Sequence, residues 1–304
     1  MTEHRSVPLS TGVTLNVALA GPEDAPPVIL LHGFPESHRT WRGVVPLIED
    51  KFRLVMPDLR GFGSSDQPQE VEAYAADKLV ADIFALADAL GIDRFALVGH
   101  DWGGATAWAA AIRGNSRVER LGIINSPHSL VFQRSLIENP EQRAASQYIN
   151  AFRTPGFERA IEAMGFEKFF AKSFTPHVDL ESISAEERLS YIADWSRPGA
   201  MTAMLNWYRA SQMVVPTPGE SAAMPTWVTR GVPKIEIPVL VVWGMTDRAL
   251  LPTQLDGLDE QCADLTIVRL PDAGHFAPWE SSAAVADALA PFLAGEDAAT
   301  ARRQ

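Results

Sequence analysis

Phe95-Ala96-Leu97-Val98-Gly99-His100-Asp101-Trp102-Gly103-Gly104 is the stretch from which the rest of the chain can be read. Its first four residues are an apolar run and predict a buried strand. The small residues that follow predict a helix over 105–112. Between the two lies a turn of the form small–x–Asp–x–small. So tight a reversal presses backbone against backbone, which residues without a β-carbon allow. Asp101 stands at its apex, exposed above the strand end and close to a helix N-terminus, where a carboxylate is favoured as the anion. Alone, such an Asp is equally well an N-cap. Its meaning depends on its neighbours.

Working outward, strand and helix patterns alternate. Residues 7–9 and 13–20, split by Ser10-Thr11-Gly12, read as a strand pair. A buried strand over 28–31 breaks at His32-Gly33-Phe34-Pro35, a short helix follows over 41–48, and a strand over 52–56 ends at Pro57-Asp58. After a Gly-rich loop, Leu79, Ile83, Leu86, Ala87 and Leu90 recur at helical spacing before Gly91. A strand over 121–124 follows the central turn. The rhythm then stops: 129–223 is helical in pattern and holds Phe152, Phe157, Phe169, Phe170, Trp195, Trp207 and Tyr208. It resumes with strands over 239–243 and 265–270 and a helix over 280–293. This alternation predicts an α/β fold with a mostly parallel sheet and helices on both faces. The expected organisation is a core in two parts, 1–128 and 224–295, interrupted by a helical cap over 129–223, with a frayed tail at 296–304.

Composition narrows the function. The 304 residues carry 26 Lys and Arg against 38 Asp and Glu, a net charge of −12, which argues against a nucleic-acid partner. Cys262 is the single cysteine, so neither an intramolecular disulfide nor a Cys-based zinc site can form. No run approaches ~18 consecutive apolar residues, and residues 1–11 lack the apolar segment of a secretory signal. The expectation is a cytoplasmic protein without a membrane partner, monomeric or homodimeric.

The chemistry lies at strand ends, where open parallel sheets gather their functional groups. After a nucleophile on a turn of this type, an acid and then a histidine are expected in chain order. Val241-Val242-Trp243-Gly244-Met245-Thr246-Asp247 places Asp247 just past one strand, and Pro271-Asp272-Ala273-Gly274-His275 places His275 just past the next. Singly, Asp247 reads as a turn former and His275 as a surface histidine. Together with Asp101 they read as nucleophile, acid and base. Asp272 is a rival acid but shares the loop of His275. His100 is expected to point into the core, and His4, His32, His38, His128 and His177 have no acidic partner at a telling spacing. The amides of Phe34 and Trp102 are placed to form an oxyanion hole. Gly61 and Gly63 fit close backbone packing.

Two further motifs carry a resemblance. Tyr148-Ile149-Asn150-Ala151-Phe152-Arg153-Thr154-Pro155-Gly156 and Leu205-Asn206-Trp207-Tyr208-Arg209 place two of the chain's four tyrosines as in the cap motifs of the epoxide hydrolases. From His32-Gly33-Phe34-Pro35 to the last helix, the chain resembles that family of the α/β-hydrolase superfamily. The resemblance implies an α/β-hydrolase core with a helical cap, and conversion of an apolar epoxide and water into a vicinal diol. Asp101 would form an alkyl ester, and His275, oriented by Asp247, would activate the water that cleaves it. Tyr148 and Tyr208 would hold the epoxide oxygen, and Trp102, Phe34, Phe152 and Trp207 would contact substrate. No metal or organic cofactor is implied. Two other readings remain. One is a haloalkane or haloacid dehalogenase on the same core, although such enzymes often carry an Asn where Phe34 stands or an Arg where Trp102 stands. The other is a non-catalytic ligand-binding protein of the same fold.

Overall fold

The computed structural model describes residues 2–175 and 178–296. At its centre is an eight-stranded sheet: β1 (Glu3–Pro8), β2 (Thr14–Ala20), β3 (Pro27–Leu31), β4 (Arg53–Pro57), β5 (Phe95–His100), β6 (Val118–Ile124), β7 (Ile235–Gly244) and β8 (Cys262–Leu270). The strand order is β1-β2-β4-β3-β5-β6-β7-β8. β1 and β2 pair antiparallel, as do β2 and β4; every later neighbour is parallel. All six residues of β5 are buried, as expected of a parallel strand covered on both faces. Alternate residues go to opposite faces: Leu97, Ile123 and Val241 to one apolar cluster, Val98, Ile124 and Val242 to the other.

Helices α1 (Val45–Ile48), α2 (Ala76–Ala89), α3 (Asp101–Ile112), α12 (Ala277–Glu280) and α13 (Ser282–Ala294) belong to the sheet layer's two flanks. β6, β7 and β8 begin three or four residues before the expected 121, 239 and 265, and three further differences have a local cause. β1 starts at Glu3 because an exposed edge strand tolerates the charged Glu3-His4-Arg5. The helix expected over 41–48 is a 3-10 turn, His38–Trp41, followed by α1. Pro46 lacks the N–H that a continuous helix would need there and fits only a first turn. And α3 begins at Asp101, so Gly103 and Gly104 form its first turn rather than a loop.

Between β6 and β7 the described residues contain no strand. They form α4 (Ser129–Glu138), α5 (Pro140–Ala145), α6 (Gln147–Arg153), α7 (Phe157–Met164), α8 (Phe166–Phe174), α9 (Ala185–Trp195), α10 (Ala200–Ala210) and, after an irregular run, α11 (Thr226–Arg230). This insertion is joined to the sheet layer by large side chains with a polar end. The Trp195 indole donates to the Pro35 carbonyl at 2.9 Å, the Trp207 indole to Arg60 at 3.0 Å, and the Asn206 amide to Gln69 at 2.9 Å. One apolar cluster runs unbroken from Ile29 and Leu97 of the sheet to Phe170 and Trp195 of the insertion. Among the described residues no helix is long and apolar enough to cross a membrane. His177 and the expected tail beyond Glu296 lie outside the described residues.

Candidate active site

Asp101 sits at the β5–α3 junction with φ of +49°. That left-handed conformation costs energy for any residue but glycine, and Asp and Asn bear it best. The close approach it creates explains the neighbouring glycines. A β-carbon on Gly103 would lie 2.5 Å from the Leu31 and His32 carbonyl oxygens, and one on Gly33 would strike the Asp101 side chain. With both absent, the Phe34 amide reaches the carboxylate and donates to Oδ1 at 2.8 Å. The Trp102 amide lies next to this carboxylate and favours its charged form. Ser126 fastens the turn from behind, its hydroxyl donating to the Asp101 carbonyl at 2.7 Å. The other carboxylate oxygen, Oδ2, faces His275 Nε2 across 3.8 Å.

The opposite nitrogen of His275, Nδ1, lies 2.8 Å from Asp247 Oδ2. Asp247 is itself held on all sides. Its Oδ1 accepts from the Ala249 and Leu250 amides, each at 2.9 Å, and its Oδ2 from Asn125 Nδ2 at 2.9 Å. Asn125 follows β6 with φ of +41°, and its own Oδ1 accepts from the Gly244 amide at 2.9 Å. It therefore links the ends of β6 and β7 beneath the acid. Sequence reasoning passed over Asn125; the signal was an Asn directly after an apolar strand, where a left-handed turn is best tolerated. Glu280 grips the histidine loop, accepting from the Gly274 and Phe276 amides at 2.7 and 2.8 Å. Asp272 is exposed on the same loop.

Two histidine expectations resolve differently. His100 is fully buried, with Nε2 2.8 Å from the His275 carbonyl and Nδ1 3.0 Å from Glu36, so it ties β5 to the His275 loop. His38 corrects its expectation. Its Nδ1 is 2.7 Å from Asp58 Oδ1, an acidic partner brought by the loop after β4. Asp58 also accepts from Asn16 Nδ2 and the Ser64 amide, and occupies the space that a β-carbon on Gly63 would need.

Tyr148 on α6 and Tyr208 on α10 line the same cavity as Asp101, about 610 Å³ counting its open mouth, together with Trp102, Phe132 and Met213. The two tyrosine rings are 6.1 Å apart. Phe34, Phe152 and Trp207, expected to contact substrate, do not line this cavity. The Phe34 and Phe152 rings instead pack on Tyr208 at 5.1 and 4.9 Å, while Trp207 is buried with its indole on the Arg60 carbonyl. Helical spacing puts Phe152 beside Tyr148 but leaves the rotation of the helix open. Arg153 sets that rotation. Its guanidinium donates to the carbonyls of Tyr208, Met213 and Ser211 at 2.9, 2.8 and 3.0 Å, binding α6 to the C-terminal end of α10 and the run after it.

A model of the alpha/beta hydrolase fold family matches residues 26–282. Epoxide hydrolase A of Mycobacterium tuberculosis is 31% identical, over 94% of this chain and 96% of that protein. A solved structure described among novel epoxide hydrolases from hot-environment metagenomes is 46% identical, with a TM-score of 0.88 over 97% of this chain and 99% of that one. The inhibitor complex of the Bacillus megaterium epoxide hydrolase is 28% identical, with a TM-score of 0.83 over 96% and 100% of the two chains. The chain belongs to the epoxide hydrolases of the α/β-hydrolase family.

In this epoxide hydrolase the site's charges are interdependent. Burial disfavours an imidazolium at His275, yet the carboxylates of Asp247 and Asp101 outweigh it and push the pKa up to about 9. Burial raises the Asp101 carboxyl above its ordinary value, while His275, His100 and the Phe34 and Trp102 amides draw it back. Asp247 is held below the usual carboxylate range despite burial, by His275 and its other donors. Burial, reinforced by the negative charge of Asp101, raises both tyrosine hydroxyls well above the ordinary phenol value. They are therefore neutral donors at every working pH.

Proposed function

We propose that this epoxide hydrolase acts through a covalent ester on Asp101, beneath a cap formed by residues 129–223. The observation that carries this reading is the unequal environment of the two Asp101 oxygens. Oδ1 is held by the Phe34 amide, whereas Oδ2 faces His275 in a cavity that Tyr148 and Tyr208 also line. Oδ2 is thus the oxygen free to attack an epoxide carbon, forming a C–O bond as the ring C–O bond breaks. The departing alkoxide takes hydrogen bonds and a proton from the tyrosine pair, whose raised pKa keeps them protonated until that moment.

Esterification removes the Asp101 charge, one of the groups that hold His275 as imidazolium. The imidazolium then gives up its proton, which restores the tyrosinate left by ring opening, and the neutral imidazole takes a proton from a water placed between it and the ester. That water attacks the Asp101 carbonyl carbon. Oδ1 becomes the tetrahedral oxyanion and already accepts from the Phe34 amide, with the Trp102 amide next to the same carboxylate, so little reorganisation is needed. Collapse breaks the acyl C–O bond, the departing alkoxide takes the proton from His275 to complete the vicinal diol, and the Asp101 carboxyl returns its own proton to His275. Asp247 holds the imidazole tautomer and orientation throughout.

A dehalogenase would use the same nucleophile and base but would need free N–H donors for halide. The Trp102 ring packs edge-on against Tyr208 at 5.1 Å, and the cavity instead holds two hydroxyl donors, Tyr148 and Tyr208, which favours the epoxide reading. The test is His275→Gln incubated with styrene oxide and measured by intact mass. A stable increase equal to one substrate is expected. No adduct under conditions where the unmodified enzyme forms diol would refute the covalent route, and halide release from haloalkanes with epoxides inert would refute the substrate class.

A further inference from the structure

One buried side chain joins the start of the insertion to the loop of the acid. Gln142 lies in the first turn of α5, which Asn139 caps by accepting from the Glu141 and Gln142 amides at 2.9 and 3.1 Å. Gln142 is fully buried, and its side chain uses every hydrogen-bonding position that an amide has. Nε2 donates to the Ala249 carbonyl at 2.8 Å and to Ser146 Oγ at 2.9 Å. Oε1 accepts from the Leu251 amide at 2.8 Å and from Gln254 Nε2 at 3.1 Å. The Ala249 carbonyl and the Leu250 N–H belong to one peptide group. Gln142 holds the oxygen of that group, and its N–H donates to Asp247 Oδ1 at 2.9 Å. The two side chains thus grip opposite ends of the same peptide. A donor on the oxygen polarises the group and strengthens the bond that its N–H gives. The second bond, to Leu251, fixes the chain on the other side of Leu250, which lines the reacting cavity. A carbonyl and an N–H side by side demand both a donor and an acceptor from one residue. A carboxylate would set oxygen against the Ala249 oxygen, and an apolar side chain would leave both backbone groups unpaired.

We propose that Gln142 is a positioning residue for ester hydrolysis: through the Ala249–Leu250 peptide it fixes Asp247, and through Asp247 the His275 imidazole. The inference rests on the covalent Asp101 reading. It gives the insertion a second part in catalysis, besides supplying Tyr148 and Tyr208. The two chemical steps need different groups. Ring opening uses Asp101 and the tyrosine pair and draws on no base. Hydrolysis needs the imidazole aimed at a water, and a displacement of about 1 Å is enough to slow such a step. Loosening the 249–250 peptide should therefore act on the second step alone.

The test is Gln142→Met, which keeps the length of the side chain and removes its hydrogen bonds. Rapid mixing with styrene oxide, quenched and read by intact mass, follows the ester as it forms and decays. Formation should stay within about twofold of the parent rate, and decay should slow at least about tenfold. In steady state kcat falls with the decay rate and KM does not rise. A merely structural role would leave fewer active molecules, seen as less ester formed at unchanged rate constants. Ser146→Ala removes a Gln142 contact that does not lead to Asp247, and should keep both rates within about twofold. If Gln142→Met does not fold, Gln142→Ala carries the same test with a slowing of about threefold, because water can enter the space and pair the freed groups. Unchanged decay, equal slowing of both steps, or less ester at unchanged rates would overturn the positioning role and leave the Asp101 ester standing. No ester in either the parent or the variant would overturn both.

Discussion

Asp101, His275 and Asp247 stand on strand ends, whereas Tyr148 and Tyr208 stand on helices of the insertion, and the two groups are held by different interactions. Asp247 has donors on both oxygens, and backbone amides hold Asp101 Oδ1 and the His275 loop. These bonds are short, directional and supplied by loops that a rigid parallel sheet aims. The tyrosines are held mainly by rings: Tyr208 touches those of Phe34, Trp102, Phe152 and Tyr148. Ring packing is strong but adaptable. The strand-end group should therefore behave as all-or-none, and the insertion's group as graded.

The largest effect tests the first half of that contrast. Asp101→Ala should reduce diol formation from styrene oxide by at least about 10³-fold, with the thermal unfolding transition still cooperative. Measurable turnover above that limit would mean that water can be delivered directly to the epoxide, and the strand-end group would no longer be all-or-none. The second half predicts a smaller loss. Tyr148→Phe or Tyr208→Phe alone should slow ring opening about 10²-fold, as for loss of one oxyanion donor, and both together by more. Stopped-flow measurement of ester formation separates this step from hydrolysis, which should keep its rate. If either single change equals the double, the two hydroxyls act as one unit and the graded picture fails.

The same contrast explains what could be read in advance. Strand ends are marked in the sequence: an apolar run, then Gly, Pro or Asp. Asp101, Asp247 and His275 could be placed from those marks, and the structure brings them together. The insertion offers helical periodicity without a marked inside. Phe152 and Trp207 lay on the right helices but do not line the cavity: Phe152 packs on Tyr208, and Trp207 packs on Phe62 and Trp102. Partners supplied across the fold were invisible for another reason. Asp58 reaches His38 from a different loop, and Asn125 reaches Asp247 across 122 positions; no local pattern encodes such a pairing. Charged Glu3-His4-Arg5 hid the start of β1 because polarity at a sheet edge is indistinguishable from a loop.

Asn125 offers a sharper view of the strand-end group, at smaller cost. Asn125→Ala removes the amide that donates to Asp247 Oδ2 and the carbonyl that accepts from the Gly244 N–H. Leaving buried groups unpaired should cost about 2–3 kcal/mol, read as a lower urea midpoint at unchanged m-value. Turnover should fall with it because Asp247 loses its fixed position. A variant as stable as the parent would show that the two backbone amides on Oδ1 suffice.

The smallest effect is a shift in one titration, and it tests the electrostatic link between the two steps of catalysis. His275 has a folded pKa of about 9, above its unfolded value of about 6.5. Its stabilising interaction with the carboxylates is fully present below pH 6.5 and is lost as the pH rises through 9. Stability should therefore decline across that interval. Asp101→Asn resembles the ester in removing the charge while keeping the side-chain shape. It should move the His275 titration, followed by NMR of its imidazole, downward from 9, and the alkaline loss of stability should begin at lower pH. Asp247→Asn should move it further, because Asp247 is the stronger of the two raising influences. If Asp101→Asn leaves the titration in place, esterification cannot release the base, and the proton on His275 must be removed by some other group before water attacks.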